Sequence, residues 1–160
     1  MPFISNVPIG SVAYASVGTN TADVAGQLWI TDIWVPRNFV VSTIGFLQGG
    51  TATTDSTLVA LFDGGGNRLA TSSLSGVVLS GANTFQEQAL LAAVQLYAPN
   101  RYFVAVQGSG NTAGAIQTIP TNTFVGVLAG SLAGSFGTVA ASIVVPTTFT
   151  AGKGPIVYLK

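Results

Sequence analysis

The sequence predicts an all-β protein of the sandwich or barrel type. Gly, Thr, Ser, Asn and Pro recur at intervals of roughly 8–15 residues, and the runs between them are rich in Val, Ile, Phe, Tyr and Thr. These runs do not alternate with long helical patterns, which disfavours a parallel α/β fold. No repeat of fixed period is visible, which argues against solenoids and propellers.

The strand predictions follow from runs of β-forming residues that end at turn signals. Pro36 ends the second run, because proline cannot donate to a ladder, and Gly49-Gly50 ends the third. Residues 89–95 have a helical composition, but the stretch is too short to nucleate alone, so we expect a strand followed by a loop. The predicted strands are residues 12–17, 27–35, 39–48, 57–63, 68–72, 84–91, 102–107, 115–119, 124–128, 138–145 and 156–159.

A β-hairpin is predicted where two of these strands flank a glycine-rich turn. Residues 63–67 read Asp-Gly-Gly-Gly-Asn, and glycine supplies the positive φ that such a turn requires. The acidic and glycine residues resemble part of a calcium loop, but the spaced acidic ligands and the terminal Glu are missing. We therefore expect Asp63 to accept hydrogen bonds from turn amides.

The length predicts one domain, residues 11–160, preceded by an extended N-terminal arm at residues 1–10. Two prolines keep the arm from folding as a helix, and apolar side chains lie between them. We expect this arm to add as a strand or to dock on a neighbouring subunit. The candidate contacts in the arm are Phe3, Ile4 and Val7.

The composition disfavours catalysis and metal or nucleic-acid binding. The chain has no His and no Cys, and only five basic and five acidic residues. Without His or Cys there is no Ser–His or Cys–His nucleophile and no usual zinc ligand. The basic residues are scattered singly, so no stripe could neutralise phosphates. The sequence predicts no enzyme activity, no cofactor, no metal site and no nucleic-acid partner, although Asp32 and Glu87 lie in strands that could in principle bring the two carboxylates together.

A membrane span is the main rival interpretation of the uncharged C-terminal region. Residues 124–145 are long enough to cross a bilayer, and Gly126, Gly130 and Gly134 recur at every fourth position. Many Gly and Ser residues and few flanking basic residues argue against insertion. We expect two strands joined by a Gly/Ser loop and no membrane partner. The N-terminus also lacks the features of a secretory signal.

Aromatic residues supply the remaining candidate contacts. Trp29 and Trp34 lie five residues apart in one predicted strand, so their side chains point to opposite faces and at most one enters the core. The other could anchor a subunit interface or stack on a sugar ring. Tyr97, Arg101 and Tyr102 could form a small polar and aromatic patch, or simply flank a strand.

Several runs of the chain resemble small proteins encoded in the structural gene clusters of tailed bacteriophages. They are VSTIGFLQGGTATTDSTLVALFDGGGNRLATSS at residues 41–73, GANTFQEQAL, NRYFVAVQGSG and the tail PTTFTAGKGPIVYLK. The likeness covers most of the chain after about residue 25. The hairpin run LVALFDGGGNRLATSS and the strand RYFVAVQ also resemble pieces of jelly-roll β-sandwich domains, including carbohydrate-binding ones. The resemblance implies an antiparallel jelly-roll β-sandwich and a place in the virion, but it transfers no functional residue.

Two functions remain open at this point. The first is a capsid decoration or cement protein, made in the host cytoplasm and located on the capsid surface. Its partners would be the major capsid protein and copies of itself, as a homodimer or homotrimer. The alternative is a carbohydrate-binding or receptor-binding module of a fibre or lectin-like protein, whose ligands would be glycans.

Overall fold

The computed structural model describes residues 3–8, 13–51, 54–78, 81–110, 114–120 and 126–160. These residues form twelve strands, and every ladder that joins two of the strands is antiparallel. One short 3-10 helix lies at Tyr14–Ser16. The strands are β1 Ile4–Ser5, β2 Thr19–Ala22, β3 Leu28–Val35, β4 Phe39–Leu47, β5 Ser56–Phe62, β6 Arg68–Thr71, β7 Val77–Val78, β8 Phe85–Leu96, β9 Asn100–Gly108, β10 Ala115–Thr118, β11 Ala129–Leu132 and β12 Val157–Leu159.

Two antiparallel sheets form a β-sandwich, which confirms the all-β prediction. The smaller has the order β1-β12-β4-β8, and the larger has the order β11-β3-β9-β5-β6, with β7 pairing with β5. Strands β10 and β2 form a separate two-stranded sheet. Side chains from both main sheets, including Ile44 and Phe46 of the smaller and Val59 and Val104 of the larger, form one buried cluster. The principal core therefore lies between the sheets.

The larger sheet is buried on its second face as well. Residues 126–149, here called the cover segment, contain the edge strand β11, and side chains beyond it, such as Phe136, Val139 and Ile143, pack against that face in a second apolar cluster. Strands β3, β5 and β9 therefore have almost continuous buried patterns instead of alternating ones. Gln107 of β9 fastens the cover segment: its Nε2 donates to the Ser135 carbonyl at 3.3 Å, and its Oε1 accepts from the Gly137 amide at 3.2 Å.

The described part of the N-terminal arm belongs to this chain's own sheet. Ile4 pairs with Leu159 and Ser5 with Tyr158, so β1 extends the smaller sheet next to β12. The Asn6 side chain continues the attachment, since its Nδ2 donates to the Pro155 carbonyl at 2.9 Å and its Oδ1 accepts from the Val157 amide at 2.9 Å. The expected strand addition therefore occurs within the chain for residues 4–5.

Most predicted strands are confirmed within one to three residues at their ends, and the hairpin of β5 and β6 is confirmed with Gly66 at a φ of 87°. Three of the strand predictions are wrong in the residues that the structure describes. The described part of 12–17 contains the 3-10 helix, and 138–145 forms no strand because it lies irregularly as part of the cover segment. Residues 124–125 lie outside the described ranges, residues 126–128 form no strand, and β11 occupies the position of the expected Gly/Ser loop.

Residues 89–95 are strand throughout, so the predicted loop after residue 91 is also wrong. Strand β8 continues to Leu96 because β4 pairs with it on both sides of an irregularity between Val41 and Thr43. At that point the amides of Ser42 and Thr43 both donate to the Lys160 carbonyl, at 2.8 and 2.9 Å. Two residues of β4, Ser42 and Thr43, thus lie opposite the single residue Lys160 that follows β12, which is the pattern of a β-bulge. None of the helical structure in the described ranges has the length and apolar character needed to cross a bilayer.

Candidate binding surfaces

The two tryptophans of β3 lie on opposite faces of the larger sheet, as their spacing predicts. Trp29 is fully buried in the principal core, and its Nε1 donates to Gln27 Oε1 at 2.6 Å. Trp34 is 55% exposed. The candidate contact Trp29 is therefore corrected to a core residue, because the sandwich covers its entire ring. Trp34 is the tryptophan that a ligand or partner can reach.

Trp34 lies in a small cleft with a charged pair. Arg101 of β9 is the register partner of Trp34, so the two side chains share one face of the sheet. Arg101 Nε lies 2.9 Å from Oδ2 of Asp32, which is two residues before Trp34 on the same face. Gly126 also lines the cleft, whose volume is about 220 Å³. We call this site the Trp34 cleft.

Asp32 connects the two elements that line the cleft, since it contacts both Arg101 and the backbone of Leu128. Its Oδ1 accepts a hydrogen bond from the Leu128 amide at 2.8 Å, and its own amide donates to the Leu128 carbonyl at 3.0 Å. Burial raises the pKa of the Asp32 carboxyl, while the Leu128 amide and the Arg101 guanidinium oppose that rise. The carboxylate is thus fixed by two protein partners, and it sets the position of both Arg101 and the start of the cover segment.

A second accessible surface is apolar and lies along the edge of the smaller sheet. Leu91 and Tyr97 are 72% and 61% exposed, and Val40 of the neighbouring strand β4 is exposed as well. Tyr97 is held in place by Tyr102, whose hydroxyl accepts from the Tyr97 amide at 2.8 Å and donates to the Tyr97 carbonyl at 3.1 Å. We call Val40, Leu91 and Tyr97 the β8 patch.

The suggested patch of Tyr97, Arg101 and Tyr102 does not form as a unit. Tyr102 is buried in the principal core, while Arg101 points to the other face of the larger sheet and joins the Trp34 cleft. The three residues flank the turn between β8 and β9, but the strand alternation of β9 sends neighbouring side chains to opposite faces.

The arm residues divide between surface and core. Phe3 is half exposed, and its ring centroid lies 5.6 Å from that of Tyr158. Ile4 is buried in the principal core, so this candidate contact is corrected to a core residue. Val7 is partly buried and packs against a third apolar cluster around Leu47. Of the three, Phe3 offers the largest accessible surface to a partner.

Asp32 and Glu87, the two carboxylates that the sequence suggested could meet, lie on different sheets. Glu87 accepts hydrogen bonds from the Tyr158 hydroxyl and from Lys160 Nζ on the smaller sheet, and these two contacts lower its pKa. Asp32 lies on the larger sheet and pairs with Arg101, whereas Glu87 pairs with Lys160. Within the ranges that the structure describes, no group of three or more acidic side chains could hold a metal ion.

Asp63 fills the turn role that the sequence predicts. Its Oδ1 accepts from the amides of Gly65 and Asn67 at 2.9 and 2.8 Å, and its Oδ2 accepts from Asn67 Nδ2 at 2.9 Å. The side-chain hydrogen bond from Asn67 is the main cause of its lowered pKa. The carboxylate is therefore used by the hairpin turn itself.

The pairing of Trp34 with Arg101 was not predicted from the sequence. Residues 34 and 101 are far apart in the chain and meet because β3 and β9 pair in one particular register. Composition and spacing do not reveal such a register. No protein-family model, curated protein or solved structure matches this chain. The two surfaces and the fold therefore carry the functional argument.

Proposed function

We propose that this chain is a structural protein of a tailed-bacteriophage virion, and specifically a capsid decoration or cement protein. In this proposal it is synthesised in the host cytoplasm and binds the outer capsid surface as a homodimer or homotrimer. Its partners are the major capsid protein and copies of itself. The resemblance of residues 41–73 and of the C-terminal tail to proteins of phage structural gene clusters supports this setting.

The observation that carries the proposal is the β8 patch. Strand β8 lies at the edge of the smaller sheet with β4 as its ladder neighbour, and an edge strand presents N–H and C=O groups to another chain. It is twelve residues long and contains one charged residue, Glu87. Leu91 lies where β8 is out of register with β4, and Tyr97 follows the strand, so side-chain contact between copies is what would bury both residues, whose exposure costs free energy in an isolated subunit. A self-assembling building block accounts for both features.

We further propose that the sandwich is of the jelly-roll type. Supporting this, the chain passes from the larger sheet at β3 to the smaller at β4, and returns to the larger at β5. It crosses again to the smaller sheet at β8 and back at β9. Repeated crossing between two sheets is how a jelly roll is built from Greek keys. A solved structure with a different strand path between these elements would contradict this assignment.

Self-association is the first test, by size-exclusion chromatography with light scattering in the absence of detergent. We expect a discrete dimer or trimer at micromolar concentration. Leu91→Lys places a charge in the β8 patch and is expected to give a monomer. Val144→Lys is the matched control, because Val144 is also highly exposed but lies on the cover segment. A wild-type monomer, or equal loss in both variants, would contradict the role of the β8 patch.

Capsid binding is the second test. Purified protein is mixed with capsid shells of the phage that encodes it, and the shells are collected by sedimentation. We expect saturable binding at a fixed number of copies per shell and greater resistance of the decorated shells to heating. Protein that stays in the supernatant at all concentrations would refute the cement function, whatever its oligomeric state.

A further inference from the structure

We infer that the Trp34 cleft is a binding site for a neutral sugar ring. The inference does not rest on the proposed function, because it concerns a different face of the molecule. The β8 patch lies along the smaller sheet, whereas the cleft lies on the larger sheet beside the cover segment. A decoration protein and a fibre module could each use such a site on the outside of a particle.

The aromatic ring provides the stacking surface. Trp34 is more than half exposed, although its neighbours along β3, Ile33 and Val35, are buried. A sugar ring has an apolar face made of C–H groups, and tryptophan combines a large apolar surface with few rotatable bonds. A tryptophan side chain has only two rotatable torsions, so little side-chain freedom is lost when a ligand stacks on it.

The polar groups beside the ring suit hydroxyl groups. Arg101 uses Nε for the contact with Asp32, and a guanidinium carries four further N–H groups on its two Nη atoms. The Asp32 oxygens are acceptors that already hold one partner each, Arg101 and the Leu128 amide. A carboxylate oxygen can accept more than one hydrogen bond. Arg101 is the more accessible of the pair, with 45% of its side chain exposed against 8% for Asp32, so a ligand in the cleft meets mainly the guanidinium donors.

The charge of the cleft selects against ionic ligands. Arg101 and Asp32 carry opposite formal charges 2.9 Å apart, so an anion or a cation meets a nearly balanced field. The volume of about 220 Å³ is below the about 300–1,000 Å³ typical of drug-sized ligands and suits a single ring. One neutral ring held by a stacking face and a few hydrogen bonds is expected to bind weakly, with a Kd of about 1 mM.

Saturation-transfer NMR on the full chain tests the site with defined probes. Glucose, galactose, N-acetylglucosamine and rhamnose are each added at millimolar concentration, and a glycan array extends the search. We expect transfer to the ring C–H protons of at least one probe and loss of that signal in Trp34→Ala. Arg101→Lys is expected to weaken binding severalfold, since it keeps the charge but changes the donor geometry. Val78→Ala is the control, as another exposed apolar residue of the larger sheet that lies outside both the cleft and the β8 patch, and should keep full binding.

The outcomes separate this inference from the proposed function. Retained signal in Trp34→Ala, or no response from any probe or array glycan, overturns the sugar site without affecting capsid binding. If Trp34→Ala instead abolishes oligomer or capsid binding and no sugar is bound, the cleft is a protein contact and the inference fails. Trp34 is largely exposed, so we expect the variant to unfold at a temperature close to that of the wild type, as measured by circular dichroism.

Discussion

Asp23 is expected to make this protein less stable at neutral pH than at pH 4. Burial raises the pKa of its carboxyl from 3.8 to about 6, against a lowering contribution from the Val24 amide, and the nearby Asp55 raises it further. The carboxylate lies directly over Gly108, where an added Cβ would be 1.6 Å from Asp23 Oδ2. The lack of a side chain at Gly108 is what allows this position.

The direction of the pH dependence follows from the pKa of Asp23 in the unfolded chain, 3.8, and in the folded chain, about 6. Between pH 4 and pH 6 the folded chain keeps a proton on Asp23 that the unfolded chain has lost. The free energy of unfolding therefore falls as pH rises through this window, and the loss persists above pH 6. A pKa difference of about 2 corresponds to at most about 3 kcal/mol. The side chain is only partly buried, so solvent screening reduces our expectation to about 1–2 kcal/mol.

Asp23→Asn removes the charge while preserving the shape. We expect it to be about 1–2 kcal/mol more stable than the wild type at pH 7 and nearly equal to it at pH 4. Urea unfolding followed by tryptophan fluorescence at pH 4, 5, 6 and 7 gives the difference directly, because Trp29 is buried in the core. Asp63→Asn is the control: its lowered pKa predicts the opposite sign, with stability lost at neutral pH. A difference between Asp23→Asn and wild type that does not change with pH would refute the argument.

Two further substitutions test the packing. Gly45→Ala would place a Cβ 2.3 Å from Tyr158 Cζ, so we expect a loss of about 1–3 kcal/mol, measured by thermal unfolding and relieved by a second change, Tyr158→Ala. An equal loss in the double variant would contradict the clash. Gln107→Leu removes the side-chain hydrogen bonds to the Ser135 carbonyl and from the Gly137 amide. Relative to the wild type, we expect amide hydrogen exchange to become faster in residues 126–149 and to change less in β9. An equal change in exchange rate in both segments would show that Gln107 does not hold the cover segment in place.

The sequence predicts most of the strands because local signals agree with the final structure. In β3, the spacing of Trp29 and Trp34 gives the correct two-face arrangement, and Pro36 marks the correct end. The turn at Asp63 is also predictable, since its glycines and its side-chain hydrogen bonds are local. These elements need no information about distant parts of the chain.

The errors occur where distant partners decide the conformation. Residues 138–145 are apolar enough to be a strand, but Val139 and Ile143 pack irregularly onto the second face of the larger sheet instead of joining a ladder. The same is true of the candidate site. The sequence predicts that at most one of Trp29 and Trp34 enters the core, but it does not say which one is exposed. Arg101 reaches Trp34 through the β3–β9 register, and Asp32 contacts Arg101 and the Leu128 amide. The spacing of residues in the sequence does not reveal that Trp34 and Arg101 are register partners.

The adjacent positions of β1 and β12 have a practical consequence for engineering. Because Ile4 of the edge strand β1 lies opposite Leu159 of β12, the two ends of the described chain lie side by side on the smaller sheet. Neighbouring ends are what circular permutation and domain insertion require. A short linker between them could close the chain, and new ends could then be opened at the exposed Gly64-Gly65 turn. A passenger domain fused at that turn would project from the hairpin of β5 and β6.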